Sequence, residues 1–336
     1  MITRTATGWQ AEDWQFQLSR IVTSVRELYQ HLELPIDSLP SAELAHLDFP
    51  LKVPQGFLDK IKKGDVNDPL LLQVLPKKQE LVISPGFSLD PLAEASALKG
   101  KGLLHKYKSR VLVVLSGSCA INCRYCFRRH FPYQDNGLSQ QEFEDISHYV
   151  INTPHINEVI LSGGDPLITS NKRLERLIRT LEKAPNLKRL RFHSRVPIVI
   201  PERIDNDLLR IIQSTHLKII LVTHSNHAQE LDGVFSSAMQ QLTRIGVTLL
   251  NQSVLLKGVN DSVSTLSDLS EKLFDAGVLP YYLHLLDPVT GTSHFDVSET
   301  EGKQLIQQLL TELPGYLVPK LVKEEAGKTS KTPISP

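Results

Sequence analysis

"RVLVVLSGSCAINCRYC", residues 110–126, runs from an unbroken apolar segment straight into a loop that holds every cysteine of the chain, Cys119, Cys123 and Cys126. The segment 110–117 is rich in Val and Leu and ends on glycine, which predicts a buried strand. Comparable runs recur at 158–165 ("EVILSGGD"), 188–195 ("KRLRFHSR"), 218–225 ("KIILVTHS"), 247–256 ("VTLLNQSVLL") and 279–287 ("LPYYLHLLD"). Helix-like segments lie near 139–152, 171–184, 204–215, 229–245, 262–277 and 298–312, several opened by Ser, Asn or Asp, which cap a first turn. Six βα units in succession predict an α/β fold with a parallel sheet and right-handed crossovers, either a partial barrel or an open sheet. Ser162, Gly163, Gly164, Asp165, His193, Arg195, His224, Gln252 and Asp287 fall at or near strand C-terminal ends. That is the face on which barrel enzymes build their sites.

The cysteine spacing C-x3-C-x2-C is too tight for paired disulfides, and an odd thiol would be left over. Two metal-bound readings fit it. A structural zinc ion takes four ligands, and His130, four residues after Cys126, completes a Cys3His set. An iron–sulfur cubane takes four thiolates, so three leave one iron open to a small molecule. Spacing alone does not choose between them.

Composition removes other classes. The 336 residues carry 37 basic and 37 acidic side chains, so no net field invites nucleic acid or an anionic membrane. No apolar run approaches the roughly 20 residues of a membrane span. The start, "MITRTATGWQAEDWQ", lacks the apolar stretch of a secretory signal, and the expected setting is cytoplasmic and reducing. Residues 1–100 read as a helical and extended cap, in which Trp14, Leu18, Ile21, Val22, Val25, Leu28 and Tyr29 share one face of a single helix. Residues 101–313 hold the βα units, and 314–336 form a short C-terminal segment rich in Lys, Thr, Ser and Pro. By composition alone that last segment reads as a frayed tail.

The cysteine loop, with Tyr125 just before its last cysteine, resembles the signature of radical S-adenosylmethionine enzymes. The ordered series "LLHKYKSRVL", "SGGDPL", "HSRVPIVIPERI", "LLNQSVLLKGVND", "PYYLHLLD", "GYLVPKL" and "SKTP" extends the resemblance to the lysine 2,3-aminomutase family, from about residue 50 to 333. The resemblance implies a partial (β/α)6 barrel of the TIM type with an N-terminal helical cap and a short C-terminal cofactor-binding segment. It also implies a 4Fe–4S cluster on Cys119, Cys123 and Cys126, S-adenosylmethionine on its open iron, and pyridoxal 5'-phosphate on a C-terminal lysine. By the Thr-Pro context that lysine is Lys331, with Lys328 the competitor three residues earlier.

Further roles are implied residue by residue. Tyr107, Arg110, Arg195 and Lys106 match positions around pyridoxal phosphate, with Lys106 standing where relatives carry Arg. Tyr125, Ser162, Gly163, Gly164, Asp165, His224 and Gln252 match positions on the S-adenosylmethionine side. Arg128 matches the position that meets the α-carboxylate of L-lysine. Asp287 and Glu324 match the carboxylates that meet its ε-ammonium, Glu324 standing where many relatives carry Asp. "NCRYCFRRHFPY" and the abrupt C-terminus resemble the branch that makes (R)-β-lysine for modification of elongation factor P. The implied partners are then an electron donor of the flavodoxin or ferredoxin kind, the elongation factor P lysine ligase and elongation factor P itself. "EEAGKTSK" departs from the glycine run that stand-alone metabolic lysine 2,3-aminomutases carry before their lysine. That metabolic role is one alternative; a non-catalytic binding protein stabilised by zinc or an Fe–S cluster is another.

Overall fold

Each apolar run has to bury one or both faces, and the sheet satisfies all six at once. The computed structural model describes residues 14–131 and 138–336, so calls on the extreme N-terminus and on Pro132 and Tyr133 lie outside the described residues. The chain opens with short helices α1 (Trp14–Ser19), α2 (Val25–His31), α3 (Leu39–Asp48), α4 (Gln55–Leu58) and α5 (Pro69–Leu72). The single helix expected across Trp14–Tyr29 is broken. The Ser24 side chain accepts from the Glu27 amide and starts α2 afresh, while Val22 pairs with Val53 as an antiparallel bridge. A capping side chain and a β-branched residue with an extended partner together outweigh the helical period.

The βα units follow as expected. Strands β1 (Leu98–Gly100), β2 (Leu103–Tyr107) and β3 (Arg110–Ser116) are followed by α6 (Gln140–Ile151), β4 (Glu158–Gly163), α7 (Asn171–Leu181) and β5 (Arg189–Ser194). Then come α8 (Val196–Val199), α9 (Asn206–Gln213), β6 (Lys218–His224), α10 (Gly233–Arg244) and β7 (Thr248–Val254). The chain ends with α11 (Val263–Asp275), β8 (Leu279–His284), α12 (Glu299–Glu312), β9 (Lys320–Lys323) and β10 (Thr332–Pro333). The ten strands form one sheet in sequence order; β3 to β9 run parallel, and β1, β2 and β10 join antiparallel. The six expected strands are all present, each ending one to three residues earlier than its apolar run. Composition missed four strands: β1 and β2 at one edge, and β9 and β10 at the other.

Alternation sends Val159, Leu161, Leu190, Phe192, Ile219 and Leu221 outward into the main core beneath the helices. The intervening residues line the inner face. The sheet curls far enough for Lys106 in β2 to touch Glu324, just past β9, at 2.7 Å. The result is the partial barrel, and the C-terminal segment closes against its first strands instead of fraying.

Candidate active site at the barrel mouth

The three cysteines lie in the loop after β3, all free and half-buried. Desolvation pushes the Cys119 thiol well up, with Asp165, Cys126 and Cys123 adding to it, and burial followed by Cys123 pushes Cys126 up to about 11. Cys119 and Cys126 are thus raised partly by their neighbouring thiols, a cost that a bound metal's charge would offset. Such a set fits an iron–sulfur group, whose charge would favour their ionisation. His130, the fourth residue of the zinc alternative, has its Nε2 3.3 Å from the Thr290 carbonyl. Among the described residues no three or more His, Cys, Asp or Glu side chains, the three cysteines included, are gathered closely enough to hold one metal ion, so this observation does not choose between zinc and a cluster.

The loop is clamped from behind by residues that local sequence did not reveal. Arg124, fully buried, donates to Glu80 at 2.9 and 2.5 Å and to the Phe49 carbonyl at 2.6 Å, and Arg129 reaches Glu80 at 3.0 Å. Glu80 therefore balances two buried guanidinium groups. Glu80→Ala should cost about 3 to 5 kcal/mol, because it strands those charges. Chemical denaturation against the parent measures it, and a loss below about 1 kcal/mol would mean solvent or other groups replace the pair.

On the other side of the loop sits "SGGD". Gly163 has φ +105°, and a Cβ on Gly164 would stand 2.2 Å from the Ser118 carbonyl, so only glycine lets β4 approach the cysteine loop this closely. The Gly164 and Asp165 amides donate to the Ser116 and Ser118 carbonyls, both at 2.8 Å. The Asp165 carboxylate is not turned to a ligand. It accepts from Ser194 Oγ at 2.7 Å and from the amides of Leu167, Arg195 and Val196 at 3.0, 2.7 and 3.1 Å. Four donors fill it, so its role here is to tie the end of β4 to the end of β5.

Arg195 also departs from expectation. Instead of joining the C-terminal lysine, it donates to Cys123 Sγ at 2.7 Å, Tyr125 Oη at 2.6 Å, Gln73 at 2.7 Å and Glu230 at 3.1 Å. The two carboxamide and carboxylate partners, distant in sequence, hold it on the cysteine side of the mouth. Tyr125 in turn contacts His224 Nε2 at 2.9 Å, and His224 pairs in register with Gln252. Burial, helped by Arg195, takes the His224 imidazole down to about 3, so it is neutral.

Across the barrel Lys331 Nζ pairs with Glu324 at 2.6 Å, and the same carboxylate accepts from Lys106 at 2.7 Å and Tyr107 Oη at 2.5 Å. Burial alone would raise Glu324; Lys331, Lys106 and Tyr107 outweigh it and draw the carboxyl down to about 2. Lys328 is exposed, so β10 turns one lysine inward and leaves the other in solvent. Arg110 lies 4.0 Å from the Tyr107 ring and has no carboxylate within ion-pair distance among the described residues. An unpaired arginine beside Lys331, Lys106 and Tyr107 fits an anionic cofactor tail. Asp287 stands near this group, and desolvation, strengthened by Glu324 and Glu94, raises it to about 7 even against Lys331.

Arg128 is fully engaged where a carboxylate was expected. Its guanidinium grips Glu94 at 2.8 and 2.6 Å and reaches Ser162 Oγ at 3.3 Å. The fork does bind a carboxylate, but the chain supplies it.

The profile described as Radical SAM superfamily matches residues 113–223, the span from β3 through β6 that contains the loop just described. L-lysine 2,3-aminomutase from Escherichia coli (strain K12) is 50% identical over 324 residues, covering 96% of this chain and 94% of that protein. The chain belongs to the L-lysine 2,3-aminomutase family. The Haemophilus influenzae member is 47% identical with 96% of each chain covered, and the Clostridium subterminale member 34% identical, covering 96% of this chain and 78% of that one. Among solved structures, a radical SAM methyltransferase from Sphaerobacter thermophilus is similar with a TM-score of 0.48 and 18% identity, covering 66% of this chain and 68% of that one. As a lysine 2,3-aminomutase family member, this chain is an isomerase built on a radical S-adenosylmethionine domain, which implies a 4Fe–4S cluster and S-adenosylmethionine. No helix among the described residues is long and apolar enough to cross a membrane.

Proposed function

We propose that this chain converts L-lysine to (R)-β-lysine, using a 4Fe–4S cluster on Cys119, Cys123 and Cys126, S-adenosylmethionine, and pyridoxal phosphate on Lys331. The observation that carries the reading is one barrel mouth with three free thiols on one side and an inward, ion-paired lysine on the other. The cluster on Cys119, Cys123 and Cys126 and S-adenosylmethionine would supply reversible hydrogen abstraction, the hydrogen taken from Cβ being returned at Cα, and pyridoxal phosphate on Lys331 would supply the hold on the migrating amino nitrogen. The chain's own residues position and shield. Arg110, Lys106 and Tyr107 offer one cation-rich wall for a phosphate. Arg128 offers a fork for the α-carboxylate, which must replace Glu94 there. Asp287 and Glu324 offer negative charge to the ε-ammonium. The Lys331–Glu324 ion pair at 2.6 Å supports Glu324 as a partner for an ammonium. Tyr125, Ser162, Gly163, Gly164, His224 and Gln252 remain our assignment for the S-adenosylmethionine side, with Asp165 and Arg195 supporting that side from beneath.

Anaerobic turnover of L-lysine with both cofactors and a reductant, followed by chiral analysis of the product, tests the proposal. Formation of (R)-β-lysine supports it; no conversion by cluster-loaded protein overturns it. We further propose that the product serves elongation factor P through its lysine ligase, with a flavodoxin- or ferredoxin-like protein as electron donor. What supports this is "NCRYCFRRHFPY" and the "EEAGKTSK" loop. Supplying the reaction product to ligase and elongation factor P should give faster attachment than L-lysine does, and equal rates would remove this role.

The raised Asp287 carboxyl makes the reaction pH-dependent. Below about 7 it is protonated and leaves the ammonium with the Glu324 charge alone; above 7 it adds a second negative charge. KM for lysine should therefore fall as pH rises toward 7, by up to about tenfold per unit. Asp287→Asn should flatten that slope, holding KM near its low-pH value, so that it exceeds the parent's only as pH rises through about 7. A slope preserved in the variant would assign the titration to another group.

A further inference from the structure

Two imidazoles in the barrel lack a role in the scheme above. His193 is the penultimate residue of β5 and His284 the last of β8, and both belong to the inward-facing set of their strands, opposite to Phe192 and Leu283 in the outer cores. The Nε2 atom of each is buried and has no hydrogen-bond partner. A neutral imidazole carries one N–H and one lone pair, and leaving either unmet inside a protein is costly, so such atoms ask for a ligand. Their neighbours say which ligand. His284 packs edge-on to Tyr282 with centroids 5.6 Å apart, and Lys331 Nζ lies 5.8 Å from the same Tyr282 ring. Desolvation holds both imidazoles well below their usual value; the Lys331 charge acts on both, and that of Arg128 on His193. The cysteine side has its own histidine, His224, which is already bonded to Tyr125.

We infer that His193 and His284 are the residues whose Nε2 atoms hydrogen-bond the ring of the pyridoxal phosphate carried by Lys331. The inference rests on the cofactor assignment made above, and adds two contacts to it. Neutral imidazoles suit this place: they exchange hydrogen bonds with a heteroaromatic ring's polar atoms without adding positive charge beside Lys331 and Arg128. They are contacts of the cofactor and not of its phosphate, for which Arg110 and Lys106 are the cations at hand.

The test is binding of pyridoxal phosphate itself to the full-length chain, followed by its visible absorption, with borohydride trapping and peptide mapping to locate it. His193→Phe and His284→Phe should still trap the cofactor on Lys331, but with Kd raised about fivefold to tenfold each and a displaced absorption band. His284→Gln and His193→Gln, which keep a hydrogen-bonding end, should recover most of that affinity. Unchanged affinity and spectrum in both Phe variants would overturn the inference. So would equal losses in Phe and Gln variants accompanied by a lowered melting temperature, which mark a packing role. Should a Phe variant not fold, the parent decides: pyridoxal phosphate should move two buried imidazole NMR signals, identified by their loss in the Gln variants, and unmoved signals overturn the inference. A parent chain that traps no cofactor on Lys331 removes the cofactor assignment as well, which separates that failure from this one.

Discussion

Replacing any one of Cys119, Cys123 and Cys126 by alanine should abolish the iron–sulfur cluster and, with it, all reductive cleavage of S-adenosylmethionine. The chain has three cysteines and no spare thiol, so a lost ligand has no local substitute. Burial makes the effect steep. Desolvation and the neighbouring thiols push Cys119 and Cys126 up, and a cluster's positive charge would offset that cost. The fold should survive each substitution, because the loop is anchored through Arg124, Glu80 and the glycines of β4, none of which depends on a thiol. Iron and sulfide content after anaerobic reconstitution, with 5'-deoxyadenosine formation as the functional readout, measures the result. A variant that keeps full iron and cleavage would show that its cysteine is not a ligand. Zinc in the reconstituted parent would return the non-catalytic alternative.

Lys331→Ala should keep the cluster and lose covalent pyridoxal phosphate, with turnover falling below detection, while Lys328→Ala should keep both. The difference is one of direction. β10 pairs antiparallel with β9, placing Lys331 against Glu324, whereas Lys328 lies in the exposed turn before it. Removing Lys331 leaves the Glu324 carboxylate with Lys106 and Tyr107, so the variant should fold with little penalty. Borohydride reduction followed by peptide mapping decides between the lysines. A label on Lys328 would mean that the turn rearranges when the cofactor enters.

The N-terminal third shows where reading by pattern stops. The apolar spacing from Trp14 to Tyr29 is helical on paper, yet Val22 finds Val53 and Ser24 finds the Glu27 amide, and the helix divides. The first of these partners lies thirty-one positions away, outside any periodic window. Glu80, Gln73 and Glu230 escaped notice for the same reason: an isolated carboxylate or amide in a loop reads as solvated until the guanidinium it faces is known. Arg195 shows the converse. Its place at a strand end was legible, but which side of the mouth it serves depended on partners at positions 73, 123 and 230.

The sequence by itself determined the six central strands, their helices and the cysteine loop, because these are written in local period, caps and spacing that short-range physics obeys. The Thr-Pro context pointed to Lys331 over Lys328 only through the resemblance to the aminomutase family. Only the tertiary structure decided that 314–336 is part of the sheet, since β9 gains its strand character from pairing with β8 and not from its own composition. The same holds for the ligand face. Glu324 and Lys106 are 218 residues apart and meet because the sheet curls, and Glu94 reaches Arg128 across the mouth through a loop. Electrostatic contacts of that range carry no sequence period, so burial and curvature had to bring their partners together before their chemistry could be read.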